Sequence, residues 1–278
     1  MIEIKINTYF DQMSIRELLA SFYLAKSKIY LLREHILLNE KKASLDDHLK
    51  LDDNVLVDFT SLKAESIEPY DGVIDVIYED QDLLIIDKQA HILVHTDGQT
   101  IDTLTNRIAY HYKTYPNQIL PVHRLDYDTS GLLVFAKHPL AHSFLSYQFE
   151  NRFVKKTYLA YVEGVIKEDE GKIDKPIGKD RHDNKQRVTK DGKPSKTLYK
   201  VLDRHNDRTF LKVHIIGGRK HQIRVHLASI GHPVVGDKLY GHQLKTENGL
   251  KLHFKHIKFI HPVTRQSFEI ETEKKDQF

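Results

Sequence analysis

Cysteine and tryptophan are both missing from the 278 residues. Without cysteine there is no disulfide framework and no thiolate metal site, and the absence agrees with a reducing, cytoplasmic setting. Proline and glycine are sparse, at 8 and 13 residues, which excludes a collagen-like or low-complexity chain. No apolar run approaches the ~20 residues of a membrane-spanning helix. The opening MIEIKINTYF has no basic stretch followed by an apolar one, so no secretory leader and no membrane partner are expected. Neither sign of charge dominates: 42 Lys/Arg against 39 Asp/Glu leave +3, too little to mark a nucleic-acid binder by itself. What is present suffices for a core. With 40% hydrophobic and 29% charged side chains, the composition suits one large or two modest folded domains.

The charge is unevenly spread. Residues 1–68 carry 9 Lys/Arg against 12 Asp/Glu, yet 14–42 alone hold 6 basic and 3 acidic side chains. Residues 175–196 hold 8 Lys/Arg and 3 Asp. Clustered cations are what phosphate backbones respond to.

Ser14-Ile-Arg-Glu17 reads as a capping box, with Ile15, Leu18, Leu19 and Phe22 following at helical spacing. A second short helix is expected from Ser27, carrying Ile29, Leu32 and Arg33. Two short strands follow, in ILLNEKK and LDDNVLVDF, and KAESIEPYDG reads as a linker. This predicts a small module over 1–68 and a larger domain over 69–278. In the larger domain GVIDVIYEDQDLLIID reads as two strands joined at Glu79–Asp82, and GLLVFAK as a strand buried on both faces. PLAHSFLSYQF is a helix with Leu140, Phe144 and Tyr147 on one face, KKTYLAYVEG an alternating strand, and LYKVLDRHNDRTFLKVHII a hairpin turning near Asn206-Asp207. HQIRVHLASIG is a helix stopped by Gly231. The expected class is α+β, a mixed, mostly antiparallel sheet with flanking helices.

Three constellations carry chemistry. Asp126 follows Arg124 and precedes a Thr-Ser-Gly turn into the buried strand; taken singly, it also suits an Asx-type turn or a salt bridge. Asp128 stands too near along an extended chain to form a glycosidase pair with it, since such neighbours splay apart. Arg219, Lys220, His221 and Arg224 follow Gly217-Gly218, which lets backbone approach a ligand; a solvated basic helix face is the plain alternative. Tyr158 sits in an alternating strand beside Lys155 and Lys156, a core ring or a surface for stacking a base. His221, His226 and His232 lack the spacing or partners of a metal site, so no metal is expected.

Taken together and in order, HRLDxxTSGLL (123–133), KxYxAxVxG (156–164) and GRxHQIRVHLxxxGHPxxGD (218–237) resemble the motifs of RluA-type RNA pseudouridine synthases. DKPIG at 174–178 and Ser195-Lys-Thr197 are similar to further family landmarks, and the likeness covers about residues 70–270. The 1–68 module resembles the small S-four-type (αL) RNA-binding domain, with Asn39-Glu40 where the usual turn has Asn-Gly. A second departure is Lys88-Gln-Ala-His-Ile92, where the family usually shows Lys-Pro-Ala-Gly-Leu.

The resemblance implies an isomerase that breaks the ribose–base bond of a uridine, turns the uracil and rejoins it through carbon. Nothing leaves and nothing is oxidised, so no cofactor is implied. It assigns the carboxylate to Asp126, attacking ribose or uracil or acting through a glycal, with Arg224 favouring its charged form and Tyr158 stacking on the flipped base. Arg124 would fill the gap left in the RNA stack, Ile223 would form apolar wall, and His123, Lys88, Lys156, Arg187, Arg219 and His221 would contact RNA. The implied partner is RNA, large-subunit ribosomal before transfer RNA, bound by a cytoplasmic monomer. Two rivals are a non-catalytic ribosome-assembly factor with this fold and a carboxylate hydrolase acting on nucleosides or sugars.

Overall fold

The computed structural model describes residues 1–62, 66–112, 119–180, 185–241 and 249–273. The start of the expected linker (63–65) and part of the basic 175–196 segment (181–184) lie outside them. The first elements are β1 (Ile2–Lys5), α1 (Ile15–Ser21), α2 (Lys26–Leu32), β2 (Ile36–Leu38), β3 (Lys41–Lys42) and β4 (Asn54–Val57). They form a four-stranded sheet in the order β1-β4-β2-β3 with two helices. The capping box is present: Ser14 accepts from the Glu17 amide and Glu17 reaches back to the Ser14 amide at 2.8 Å. Asn39 and Glu40 take left-handed φ values of 48° and 66° without glycine, and Asn39 holds the turn by bonding Asp53.

The larger sheet is built from β5 (Val76–Glu79), β6 (Leu83–Lys88), β7 (Leu120–Pro121), β8 (Ser130–Ala136), β9 (Lys155–Glu163), β10 (Glu170–Asp174), β13 (Lys196–Arg204), β14 (Arg208–Ile216), β15 (Leu252–Ile260) and β16 (Ser267–Glu271). Between them lie α3 (Leu104–His111), α4 (Pro139–Glu150), the hairpin β11 (Ile177–Lys179) and β12 (Gln186–Val188), and α5 (Gln222–Ala228). The order is β10-β13-β14-β9-β15-β8-β6-β5, with β7 and β16 pairing off this path. All pairings are antiparallel except β8 with β15. No helix among the described residues is long and apolar enough to cross a membrane.

The expected hairpins and the doubly buried β8 are all observed. β9, read as an alternating strand, is buried over most of its length and pairs with β14 and β15 on its two edges. Gly131 is where β15 comes closest: its φ is 112°, and a Cβ there would meet the Phe254 carbonyl oxygen at 2.4 Å. Only glycine lets the strand after the Thr-Ser turn run beside Phe254.

The expected face of α4 is present, and it packs on the N-terminal module. Leu140 and Phe144 belong to the core of the N-terminal module, and Tyr147 stacks on Tyr23 with 3.5 Å between centroids. Arg265, in the β15–β16 turn, lies 4.0 Å from the Phe144 ring centroid and 4.5 Å from that of Phe22. It also donates to the Ser21 hydroxyl at 2.9 Å. Burial there draws its pKa down to about 10.

Candidate active site

α5 is short, and polar anchors fix it. Gln222 donates to the Lys196 carbonyl at 2.9 Å, while His226 is held between the Thr197 hydroxyl at 2.8 Å and the Lys175 carbonyl at 2.9 Å. The two lesser landmarks, around Lys175 and Thr197, therefore serve to seat this helix. At its other end Gly231, with φ 86°, closes the last turn: its amide bonds the Ala228 carbonyl at 3.0 Å and the next amide bonds Leu227 at 3.1 Å.

The helix delivers Arg224 into the interior, 5% exposed. Its Nε and Nη2 grip Asp237 at 2.7 and 2.8 Å, and Asp237 also accepts the amides of Leu239 and Tyr240. The remaining Nη1 stands 3.4 Å from Oδ2 of Asp126. Burial opposes the guanidinium charge, but Asp237 and then Asp126 outweigh it and hold Arg224 above its ordinary range. The sequence pairs Arg224 with Asp126; the structure gives its principal bonds to Asp237, a residue quoted within the third motif without a role. Asp126 takes the looser contact and keeps 23% of its side chain open.

Asp126 lies on a turn closed by the Thr129 amide on its carbonyl at 3.1 Å. Lys88, expected to touch RNA, is wholly buried beneath that turn. Its ammonium donates to the carbonyls of Gln89, Tyr127 and Thr129 at 3.0, 3.1 and 2.8 Å. Burial lowers its pKa to about 8, with Asp126 and Asp128 pulling the other way. Every donor of Lys88 is committed to backbone, a geometry that suits positioning the Asp126 turn. Lys88→Met should therefore lower single-turnover rate by about 10²-fold, the scale of a displaced reacting group, with RNA affinity nearly unchanged. A gel-shift showing the larger loss in affinity would return Lys88 to RNA contact. The neighbouring departure is accommodated locally: His91 adopts φ 64° in place of the family glycine and meets Asp128 at 3.2 Å. Asp128 is thus turned away from any carboxylate pair.

Asp126, Tyr158, Arg124, Arg219, His221, Ile223 and Arg224 line one cleft. Tyr158 is 7% exposed, and Phe254 covers one ring face at 4.4 Å, nearly parallel. Burial, then the Asp126 charge, raise its pKa, so it stays a neutral phenol. His221 places Nε2 3.8 Å from Asp126 and Nδ1 2.9 Å from the Tyr240 hydroxyl. Burial is the first cause lowering its pKa, with the Asp126 charge pulling the other way. Arg219 Nε is enclosed without a hydrogen-bond partner, and Arg124 is exposed at the rim. The free space is about 80 Å³, well under the 300–1,000 Å³ of typical ligand sites. A base enters only as rim side chains move aside.

Besides Lys88, three expected RNA contacts do not line the cleft. His123 stacks on Phe149 at 4.8 Å and accepts the Val134 amide at 3.2 Å, and burial drops its pKa to about 3, so the ring is neutral. Lys156 is 8% exposed and donates to the Gly217 carbonyl. Arg187 stands on β12, 3.9 Å from Asp180.

The three histidines set aside as metal ligands remain apart, His226 on α5's anchors, His232 on the Glu163 carbonyl and His221 at Asp126. Asp80, Asp82 and His261 do bring ligand atoms within 4.8 Å of one another. His261 Nδ1 accepts the amides of Val263 and Thr264, which leaves the proton on Nε2, donated to Asp80 at 3.0 Å. That nitrogen has no lone pair to offer a metal. A far larger cavity of about 1090 Å³, lined by Leu31, Phe59, Ile101 and Leu120, holds no acid–guanidinium pair of this kind. Chemistry, not size, selects the site.

An aspartate on a strand-entry turn, a buried arginine fixed by a second aspartate, and a tyrosine stacked at the back meet in one cleft. The chain matches the RNA pseudouridylate synthase family over residues 82–229 and belongs to that family. It is 43% identical over 223 residues to the uncharacterized RNA pseudouridine synthase YhcT of Bacillus subtilis, covering 78% of this chain and 74% of that one. It is 33% identical to the ribosomal large subunit pseudouridine synthase D of Vibrio cholerae, covering 92% and 85%. Among solved structures, human RNA pseudouridylate synthase domain containing 1 superposes with a TM-score of 0.63 at 26% identity, covering 77% of this chain and 86% of that one. The enzyme is an isomerase acting on RNA.

Proposed function

We propose that this enzyme converts specific uridines of large-subunit ribosomal RNA to pseudouridine, with Asp126 as nucleophile. The observation that carries the reading is the Asp126–Arg224–Asp237 arrangement, which leaves one carboxylate beside a guanidinium but not consumed by it. The flipped uracil would lie against the open face of Tyr158, whose stacking is worth ~1–3 kcal/mol, comparable to the cost of extruding a base. Ile223 supplies apolar wall, Arg124 enters the vacated stack, and the unpartnered Nε of Arg219 is available to the RNA. The name of the Vibrio cholerae relative supports ribosomal RNA as target; transfer RNA is the alternative. The cytoplasm and a monomeric state complete the reading.

Pseudouridine mapping of total RNA with and without this gene tests it. Loss of a modification in large-subunit ribosomal RNA is expected. Loss in transfer RNA alone corrects the target, and no loss anywhere defeats the assignment.

The 1–68 module is read as an RNA clamp. Its exposed Lys26 and Lys28 lie at the start of α2. Lys26→Glu with Lys28→Glu should weaken RNA binding about tenfold at 0.1 M salt and flatten its salt dependence, by more than it slows single-turnover chemistry. Equal affinity and slope in filter binding would remove the clamp. Deleting the module is a poorer test, because it strips the cover from Leu140 and Phe144.

A further inference from the structure

A second basic concavity lies beside the cleft, across Gly217-Gly218. Gly218 lines the catalytic cleft, Gly217 lines this cavity of about 580 Å³, and Ile215 lines both. Arg152, Lys155, Lys156 and Lys212 surround it with His214, and Glu271 is the one carboxylate among its described lining residues. Like charges gather here in excess, with Glu271 in the lining and Glu269 near Lys155 as the acidic groups beside them, an arrangement that an anion relieves.

Two observations sharpen this. Lys156 is 8% exposed, with its ammonium on the Gly217 carbonyl and 5.7 Å from the Phe149 ring centroid; that carbonyl is its one hydrogen-bond acceptor among the described residues, so donors remain for an anion. Arg152 occupies the residue after the C-cap of α4, where the Phe153 amide reaches back to Gln148 at 2.9 Å. That position favours glycine, yet Arg152 holds φ 63° there. The local backbone gains nothing from arginine; its side chain faces the cavity.

We propose that this cavity binds a backbone phosphate of the RNA strand flanking the flipped uridine, with Lys156 bridging that phosphate to the Gly217 carbonyl. The inference rests on the enzyme acting on RNA and adds a docking point outside the catalytic cleft. A strand that delivers a nucleotide to Asp126 must carry its phosphates past Gly218. Seating one of them on Lys156 steadies the Gly217–His221 segment that leads into Arg224.

The test uses Arg152→Gly, Lys212→Gln and the double variant. Arg152→Gly relieves a left-handed backbone, so its melting temperature should equal or exceed that of the parent while a cation is lost. The probe is a fluorescein-labelled single-stranded RNA of mixed sequence. The double variant should bind it about tenfold more weakly at 0.1 M salt, and the slope of log K against log salt should become shallower by about 0.7, one single-strand phosphate contact. Unchanged affinity and slope overturn the proposal. Inorganic phosphate is the second probe: if it raises the parent's melting temperature but not the double variant's, while RNA affinity is the same in both, the cavity is a free-anion site and the proposal also fails. Pseudouridine formation by the parent on transcribed ribosomal and transfer RNA is scored separately, so a failure of the enzymatic reading is distinguishable from a failure of this cavity.

Discussion

Asp126→Asn is expected to abolish pseudouridine formation, a loss on the order of 10⁴-fold or more, as when a catalytic nucleophile is removed. Asparagine has nearly the same shape and can still accept from Arg224 Nη1, so the loop should stay in place. The fold does not depend on this carboxylate: it is partly open, and the buried arginine has its two shortest bonds elsewhere. RNA affinity should therefore survive while turnover vanishes. Single-turnover assays on ribosomal RNA, read by pseudouridine mapping, make the measurement. Turnover within tenfold of the parent would mean that another group attacks.

Asp237→Ala is expected to destabilise the protein by ~3–5 kcal/mol, the cost of stranding one member of a buried ion pair. For a chain of this size that is about 10 °C in melting temperature. Arg224 would lose both short bonds, and the amides of Leu239 and Tyr240 would lose their acceptor. A second effect follows from geometry. Freed from Asp237, the guanidinium can close on Asp126, now 3.4 Å away, and engage the nucleophile fully. Activity should then fall by about 10²-fold even at temperatures where the variant is folded. Asp237→Asn should lose less stability, since it keeps one acceptor. If Asp237→Ala melts within about 2 °C of the parent, Arg224 is not held as described.

Much of this was legible because local rules and tertiary structure agree. The Ser14–Glu17 box, the β8 run and the Gly231 stop each follow from sequence neighbours, and all are present. Other features depend on residues remote in the chain. Asp237 resembles a turn aspartate after glycine, and nothing local reveals that a buried arginine 13 residues away requires it. β15 is hidden in LHFKHIKFI, where His253 sits at a core position because Ser130 and Thr272 satisfy both ring nitrogens. Lys88 is hard to read for a related reason: a lysine in a motif suggests an external phosphate, but its three donors bond the Gln89 carbonyl and two carbonyls of the Asp126 turn.

The sharing of α4 between two cores has a practical corollary. Its Leu140 and Phe144 complete the N-terminal module, and Arg265 from the opposite end of the sequence wedges into the same aromatic box. A foreign amino-terminal segment grafted onto this sheet would meet a socket cut for Phe10 and Phe22. Exchanging this segment between relatives would therefore mean moving that helix face and the Arg265 turn along with it, as one piece.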